Sequence, residues 1–306
     1  MLFISNYINI CTIVIIIIMT NVISCYLMGG LGNQLFQIFS TISYGLDYQR
    51  SIIFPYTDFL TTGVTRPTYW HSFLSSIISF TNYNKNYTNQ QLTLFHKYTE
   101  PNFHFSSIPN SNINEFILYG YFQSYKYFQH NSKHIFALIN LSAQQSSILK
   151  DYSSLFNNLT NNVSMHFRIG DYKDIQNCHP LLPYKYYENA ITKLNATISN
   201  ITILYFCEKK DNDIVYTFIQ QLQHKFKHIH FVKVDDDIPD WKQLLIMSCC
   251  SHNIIANSSF SWWGAFFNQN TDKLVYYPDK WFGPALTQHN TQDINPPNWH
   301  KILSEL

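Results

Sequence analysis

The chain has 306 residues, of which 46% are hydrophobic and 13% charged, so it is apolar enough to bury one large core or two linked cores and is not a disordered tail. Its 20 Lys and Arg residues nearly balance its 19 Asp and Glu residues, which leaves a net charge of +1. This charge excludes the cationic surface that binds a phosphate backbone, so we expect no nucleic-acid partner.

The first element is an uncharged N-terminal segment. No charged residue precedes Asp47, and residues 8–19 are apolar except for Asn9 and Thr12. Residues 1–21 are a candidate membrane anchor or signal segment, although a span needs about 20 apolar residues. An extra buried strand is the alternative. With an anchor we expect a membrane or secretory location, and without one a cytoplasmic location.

A strand, a tight turn and a helix follow. The apolar residues 22–28 lead into Gly29-Gly30-Leu31-Gly32-Asn33-Gln34, after which apolar residues recur at helical spacing. Glycines at such a turn let the backbone approach a ligand without an obstructing Cβ. Leu35 breaks the dinucleotide fingerprint, and the missing Lys-Ser/Thr pair excludes a P-loop. A purely structural turn is the alternative.

The rest of the chain divides into an irregular part and a regular part. We predict a short strand at 52–54 and mostly loops and short helices over 57–109. In the second half, strands at 163–168, 201–207, 230–234, 253–256 and 273–277 alternate with helices near 213–227, 241–251 and 260–267. Such alternation predicts parallel sheets covered by helices. We therefore expect two α/β domains, 22–155 and 156–306.

Ligands of open α/β sheets bind at the carboxyl ends of the strands, and one such end carries His166, Arg168 and Asp171. Alternation along the strand puts His166 and Arg168 on one face, with Asp171 just beyond. Arginine holds phosphate oxygens with two N–H groups, and histidine can hydrogen-bond to phosphate, ribose or base. The alternative is that Asp171 satisfies both side chains internally.

Another strand end carries Asn257, Ser258, Ser259 and Phe260, which open a helix. Serine is a preferred N-cap, and the free amides of a first helical turn form an anion site. A diphosphate would lie there, opposite Arg168. An ordinary capped helix with two packing tryptophans is the alternative.

Two patterns favour metal sites only weakly. The run Asp235-Asp236-Asp237 contains the D-x-D pattern that holds a divalent cation in some sugar transferases. Because this run precedes a helix late in the chain, its carboxylates are more readily explained by favourable interaction with the helix dipole or by contact with a nucleobase than by metal binding. His224 and His228 are interleaved with lysines, which favours a solvated helix end over a zinc site. We expect no metal.

Several long motifs, in this order, resemble the GDP-fucose-dependent α-1,2-fucosyltransferases, glycosyltransferase family 11. The resemblance covers about residues 24–302 and its motifs lie at 28–37, 120–128, 166–172, 252–264 and 281–299. It implies a GT-B fold, in which two Rossmann-like domains face each other across a cleft. It also implies metal-independent, inverting transfer of L-fucose from GDP-fucose to the 2-hydroxyl of a galactose-terminated glycan.

One departure and two rival functions accompany the resemblance. The family usually has a second arginine where this chain has Ile169, a position that would point away from Arg168 on the strand. A metal-dependent transferase of another nucleotide sugar and a non-catalytic glycan-binding protein remain rival functions.

The resemblance implies a donor-binding set on both sides of the cleft. This set comprises Gly30, Gly32, Asn33, His166, Arg168, Asp236, Asp237, Asn257, Ser258, Ser259 and Phe260. In it, Arg168 would neutralise the donor β-phosphate and His166 would contact the nucleotide. The glycines and Asn33 would close over the fucose, and one of the two aspartates would read the guanine edge.

The implied catalytic group is Asn33, His166, Arg168 and Asp171. Departure of GDP adds negative charge to the β-phosphate, which Arg168 and the helix amides would stabilise. The base that takes the acceptor proton stays open between Asp171, Glu100 and the departing phosphate. Tyr121, Gln123 and Ser124 are our prediction for acceptor contact.

Overall fold

The computed structural model describes residues 21–156 and 161–304. Its strands are β1 (Val22–Cys25), β2 (Ser51–Ile52), β3 (Phe59–Leu60), β4 (Arg66–Pro67), β5 (His96–Thr99), β6 (Glu115–Tyr119), β7 (Asn161–His166), β8 (Ile201–Phe206), β9 (His230–Lys233), β10 (His252–Ile254), β11 (Val275–Pro278) and β12 (His300–Ile302). Its α-helices are α1 (Leu31–Asp47), α2 (Asn89–Thr93), α3 (Ser132–Leu138), α4 (Leu141–Asp151), α5 (Tyr184–Asn195), α6 (Asn212–Lys225), α7 (Asp240–Cys249) and α8 (Ser259–Phe267).

The strands form a parallel sheet in each half of the chain. The first sheet has the order β2-β1-β6-β5 and the second β12-β11-β10-β7-β8-β9, while β3 and β4 make a separate hairpin. Parallel strands need crossover connections, and the helices between them cover the sheet faces. The predicted alternation of the second half and the predicted α/β fold of GT-B type are confirmed.

Sequence reasoning missed several elements, among them β5, β6 and α5. The region 57–109 contains the edge strand β5, which is largely exposed, and such strands carry polar residues that hide their periodicity. Strand β6 lies between β1 and β5 and was also not predicted. Helix α5 was missed although Tyr186, Tyr187 and Ile191 bury one of its faces.

Helices α1 and α8 join the two halves through an aromatic core. Phe36 of α1 lies 4.5 Å from Trp262 of α8, measured between ring centroids, and Phe39 lies 4.5 Å from Trp263. All four rings are buried, so this packing fixes the N-terminus of α8 against the first sheet. The domain boundary near residue 155 stays a prediction.

The candidate anchor, residues 1–21, lies outside the described residues except for Asn21. In the parts of the chain that the structure describes, no helix combines the length and apolar character needed to cross a bilayer.

Candidate functional site

The registers of four neighbouring strands place four polar residues side by side. His166 ends β7 in register with the last residue of β8, so Arg168 and Glu208, each two residues later, fall opposite each other. When the registers of β10 and β9 are extended in the same way, Asn257 and Asp236 lie level with Arg168 and Glu208. Parallel pairing therefore assembles one polar edge from residues far apart in the chain.

A cleft of about 1090 Å³ opens at this edge. Every residue of the predicted donor-binding set lines it, and so does Asp171. Of the predicted acceptor stretch, Tyr121 and Gln123 line the cleft, whereas Ser124 is buried and caps a short 3-10 helix. The structure thus brings the predicted residues together, and their individual roles stay predictions.

Arg168 is held by carboxylates. Its guanidinium pairs with Asp171, as the alternative interpretation had it, and with Glu208, and it lies 4.7 Å from the centre of the Tyr172 ring. Gly170 has a φ of +37°, and a Cβ there would lie 2.5 Å from Glu208 Oε1. The glycine therefore makes room for the Arg168–Glu208 pair. Ile169 is buried in the core beneath, pointing away as predicted.

Asp211 fixes the turn that follows Arg168. This carboxylate is fully buried, accepts the Gly170 N–H at 2.7 Å and pairs with Lys173 Nζ at 2.6 Å. Sequence reasoning missed both Glu208 and Asp211. Their sequence signal was their place just after the predicted strand 201–207.

His166 is neutral and has a free ring atom. Burial, with a smaller contribution from Arg168, lowers its pKa to about 3. Its Nδ1 is buried and has no hydrogen-bond partner among the described residues, and its ring lies 5.5 Å from that of Phe260. Since buried polar atoms normally find a partner, His166 is suited to hydrogen-bond a bound ligand.

The N-terminus of α8 is capped and faces the cleft. Ser258 Oγ accepts the Phe260 N–H at 3.3 Å, which confirms the predicted N-cap. No acidic side chain occurs between Ser259 and Phe267, so the positive end of the helix dipole is not neutralised from within the helix.

Asn33 joins the glycine turn to α8. Its Oδ1 accepts hydrogen bonds from Ser259 Oγ at 2.7 Å and from Gln123 Nε2 at 2.8 Å. Trp263 Nε1 donates to the Gly32 carbonyl at 2.9 Å. A Cβ at Gly32 would lie 2.5 Å from the Ser259 carbonyl carbon, so this glycine permits close contact between α1 and α8.

The aspartate run is engaged by lysines. Asp236 pairs with Lys233 and accepts a hydrogen bond from Asn212 Nδ2 at 2.7 Å, while the more exposed Asp237 lies 3.1 Å from Lys209 Nζ. Over residues 21–156 and 161–304, no group of three His, Cys, Asp or Glu side chains is placed to hold a metal ion.

Arg66 is a cleft cation that the sequence did not reveal, because the region around it lacks periodicity. It lines the cleft on the β3–β4 hairpin and lies 4.0 Å from Asp171. Gln34 Nε2 donates to the carbonyls of Gly29 and Pro67, which ties the hairpin to the glycine turn.

Glu100, a candidate base, lies beside the cleft wall and is not among the described residues that line the cleft. Its Oε2 accepts the N–H groups of Tyr121 and Phe122 at 2.8 and 2.9 Å. Burial raises its pKa to about 7. This geometry supports a role in shaping the wall and weakens its candidacy as the base.

The raised pKa of Glu100 predicts a loss of stability as pH rises. The unfolded carboxyl ionises near its ordinary pKa of 4.5 and the folded one near 7, so the free energy of unfolding should fall between these values by about 3 kcal/mol. Glu100→Gln, which can still accept both N–H groups, should remove this part of the fall. Urea unfolding at pH 4.5 and 7.5 measures it, with Glu115→Gln, an exposed carboxylate, as the control. An unchanged pH dependence in Glu100→Gln would contradict the assignment.

The amino-acid sequence matches a family of sugar transferases. A model of glycosyl transferase family 11 matches residues 20–303. The O-antigen biosynthesis glycosyltransferase WbnK of Escherichia coli is 29% identical over 189 residues, which cover 59% of this chain and 60% of that protein. An alpha-1,2-colitosyltransferase of Escherichia coli is 32% identical over 200 residues, covering 61% and 62%. The chain thus spans about three fifths of the length of these two relatives.

Among solved structures, the fucosyltransferase NodZ from Bradyrhizobium is similar to 80% of this chain and 91% of its own, with a TM-score of 0.44 and 13% identity.

Proposed function

Because this chain belongs to glycosyl transferase family 11, we propose that it is a galactoside α-1,2-fucosyltransferase, which moves L-fucose from GDP-fucose to the 2-hydroxyl of a galactose-terminated glycan. The name of one relative supports the α-1,2 linkage. The same name makes colitose a second candidate for the transferred sugar.

One observation carries the proposal: Arg168, the N-terminus of α8 and His166, whose Nδ1 has no hydrogen-bond partner among the described residues, converge on the same cleft. A planar cation can pair with some oxygens of a diphosphate, and backbone N–H groups can donate to the remaining oxygens. The guanidinium and the first turn of α8 supply both, from strand ends that the sheet register holds level.

A diphosphate that binds Arg168 must replace the two carboxylates that pair with its guanidinium. Asp171 and Glu208 pair with the guanidinium of Arg168, a residue that lines the cleft. A bound diphosphate takes over these hydrogen bonds, which costs little where both carboxylates return to water. Asp171 and Glu208 have half-exposed side chains. Ion pairs of such exposed groups contribute little free energy, so replacing them with contacts to the diphosphate costs little.

Catalysis then follows from the charge that develops on leaving GDP. Breaking the bond between fucose and the β-phosphate oxygen leaves a positively charged sugar and adds negative charge to the phosphate. Arg168 and the α8 amides are fixed before the reaction, so they stabilise this transition state more than the ground state. We propose that the reaction needs no metal ion. The oxygen of the acceptor 2-hydroxyl bonds to the anomeric carbon of fucose, and Asp171 or the departing phosphate accepts the hydroxyl proton.

The test is GDP release by the purified full chain. We expect release from GDP-fucose to depend on lactose or another β-galactoside, to continue in EDTA, and to yield an α-1,2 linkage detectable by NMR. GDP-colitose in a parallel reaction separates the two candidate donors. No release with either donor over a panel of galactosides would contradict the proposal, and loss of release in EDTA would favour the metal-dependent rival.

A further inference from the structure

Five rings form a continuous wall along one end of the cleft, which we call the ring wall. They belong to Phe103, Tyr172, His179, Phe282 and His289, and all five line the cleft. The centroid of Phe103 lies 4.8 Å from that of Phe282 and 5.1 Å from that of His289. Tyr172 stacks on His179 at 4.7 Å, and His179 lies 5.4 Å from Phe282.

The ring wall differs from the aromatic core beside it. Its five rings are partly exposed, whereas Trp262 and Trp263 of α8 are completely buried. Phe103 and Phe282 pack against that core from outside and still present surface to the concave cleft. Such half-covered aromatic surfaces with a few polar atoms are typical of small-molecule sites.

Hydrogen bonds fix the ring wall next to the candidate diphosphate site. Asn257, just before α8, donates through Nδ2 to the carbonyls of Pro180 at 2.9 Å and Trp281 at 3.3 Å. The Gly283 N–H donates to the Cys178 carbonyl at 2.8 Å. The segments that carry His179 and Phe282 are therefore tied to each other and to the start of α8.

The polar atoms of the ring wall suit hydroxyl groups. His179 Nδ1 is buried and has no hydrogen-bond partner in the described part of the chain. Burial lowers the pKa of His179, so its neutral ring offers one donor and one acceptor. The cleft also contains charged residues away from this wall, Lys209, Asp236 and Asp237, which suit the polar edge of a nucleobase.

We propose that the ring wall is the acceptor subsite, where a pyranose ring lies with its C–H face on Phe103 and Phe282 and with hydroxyl groups toward His179. This assignment rests on the proposed function. One face of a β-galactoside presents C–H groups while hydroxyls surround the ring, which matches an aromatic surface flanked by imidazole nitrogens. A nucleobase also stacks on aromatic rings, so the experiment measures both ligands.

The experiment measures saccharide and GDP binding separately in the full chain. Saturation-transfer NMR and titration with methyl β-D-galactopyranoside and lactose, in the presence of GDP, report saccharide affinity. In Phe282→Ala and Phe103→Ala we expect this affinity to fall on the order of tenfold, with GDP affinity unchanged within about twofold. Phe282→Leu keeps the apolar volume and should lose affinity as well. Tyr216→Ala, an exposed ring on α6, is the matched control.

Three results would overturn the ring wall as acceptor subsite: unchanged saccharide affinity in both alanine variants, no saccharide binding by the unmodified chain, or a loss of GDP affinity in place of saccharide affinity. The last result would assign the rings to the nucleobase. Failure of the proposed function looks different, since saccharide affinity would still fall in the variants while GDP-fucose is not consumed.

Discussion

Arg168→Ala should lower turnover by on the order of 10²-fold or more, which is the effect of removing a donor that stabilises a developing oxyanion. The reason is geometric, since Arg168 leaves β7 two residues beyond its last paired residue and projects into the cleft beside Glu208. Without the guanidinium, the charge on the departing phosphate loses its planar cation. Two carboxylates, Asp171 and Glu208, would moreover face the incoming diphosphate unneutralised.

The measurement is kcat with both substrates saturating, together with GDP affinity by calorimetry. Lys210→Ala is the matched control, because Lys210 pairs with the same Glu208 at 3.0 Å but is not among the described residues that line the cleft. Arg168→Lys keeps the charge without the two-pronged geometry and should fall between the two. Turnover near normal in a folded Arg168→Ala protein would refute the role of this residue.

The pairing of Arg168 with Glu208 shows where sequence reasoning stops. Alternation of side chains along a strand predicts that His166 and Arg168 share a face, and the structure places both in the cleft. Which residue of the next strand stands opposite is set by register, and a single sequence does not contain the register of parallel strands separated by a helix. Glu208 therefore becomes a neighbour of Arg168, and Asp236 lies level with Glu208 one strand further on, only in three dimensions.

The elements themselves were predictable to the extent that burial is periodic. After residue 161 the inner strands β7, β8 and β10 are buried along almost their whole length, and α6 buries one face through Val215, Ile219 and Leu222. Apolar runs therefore alternate with amphipathic segments. In the first half, β5 is an exposed edge strand, and Arg66 sits on a two-residue strand of a hairpin. Neither carries a pattern that distinguishes it from a loop.

Gly32→Ala should lower both stability and turnover. Alanine normally favours a helix over glycine by about 1 kcal/mol, but here the added Cβ would lie 2.5 Å from the carbonyl carbon of Ser259 and 2.7 Å from the Phe260 nitrogen. Backbone atoms cannot rotate away, so α1 and α8 must separate. Overpacking of this kind costs about 1–3 kcal/mol, and we expect a net fall of about 1–2 kcal/mol in the free energy of unfolding.

The same displacement of α8 should also lower the rate of the reaction. It moves the first turn of α8 and lengthens the hydrogen bond from Ser259 to Asn33, now 2.7 Å, and a shift of about 1 Å in a positioned group can cost on the order of 10²-fold in rate. Gly30→Ala is the control for stability, because a Cβ there meets no described atom within 4 Å. Urea unfolding and kcat of both variants decide the matter, and a Gly32→Ala protein with unchanged stability and turnover would show that α1 and α8 yield without disturbing the site.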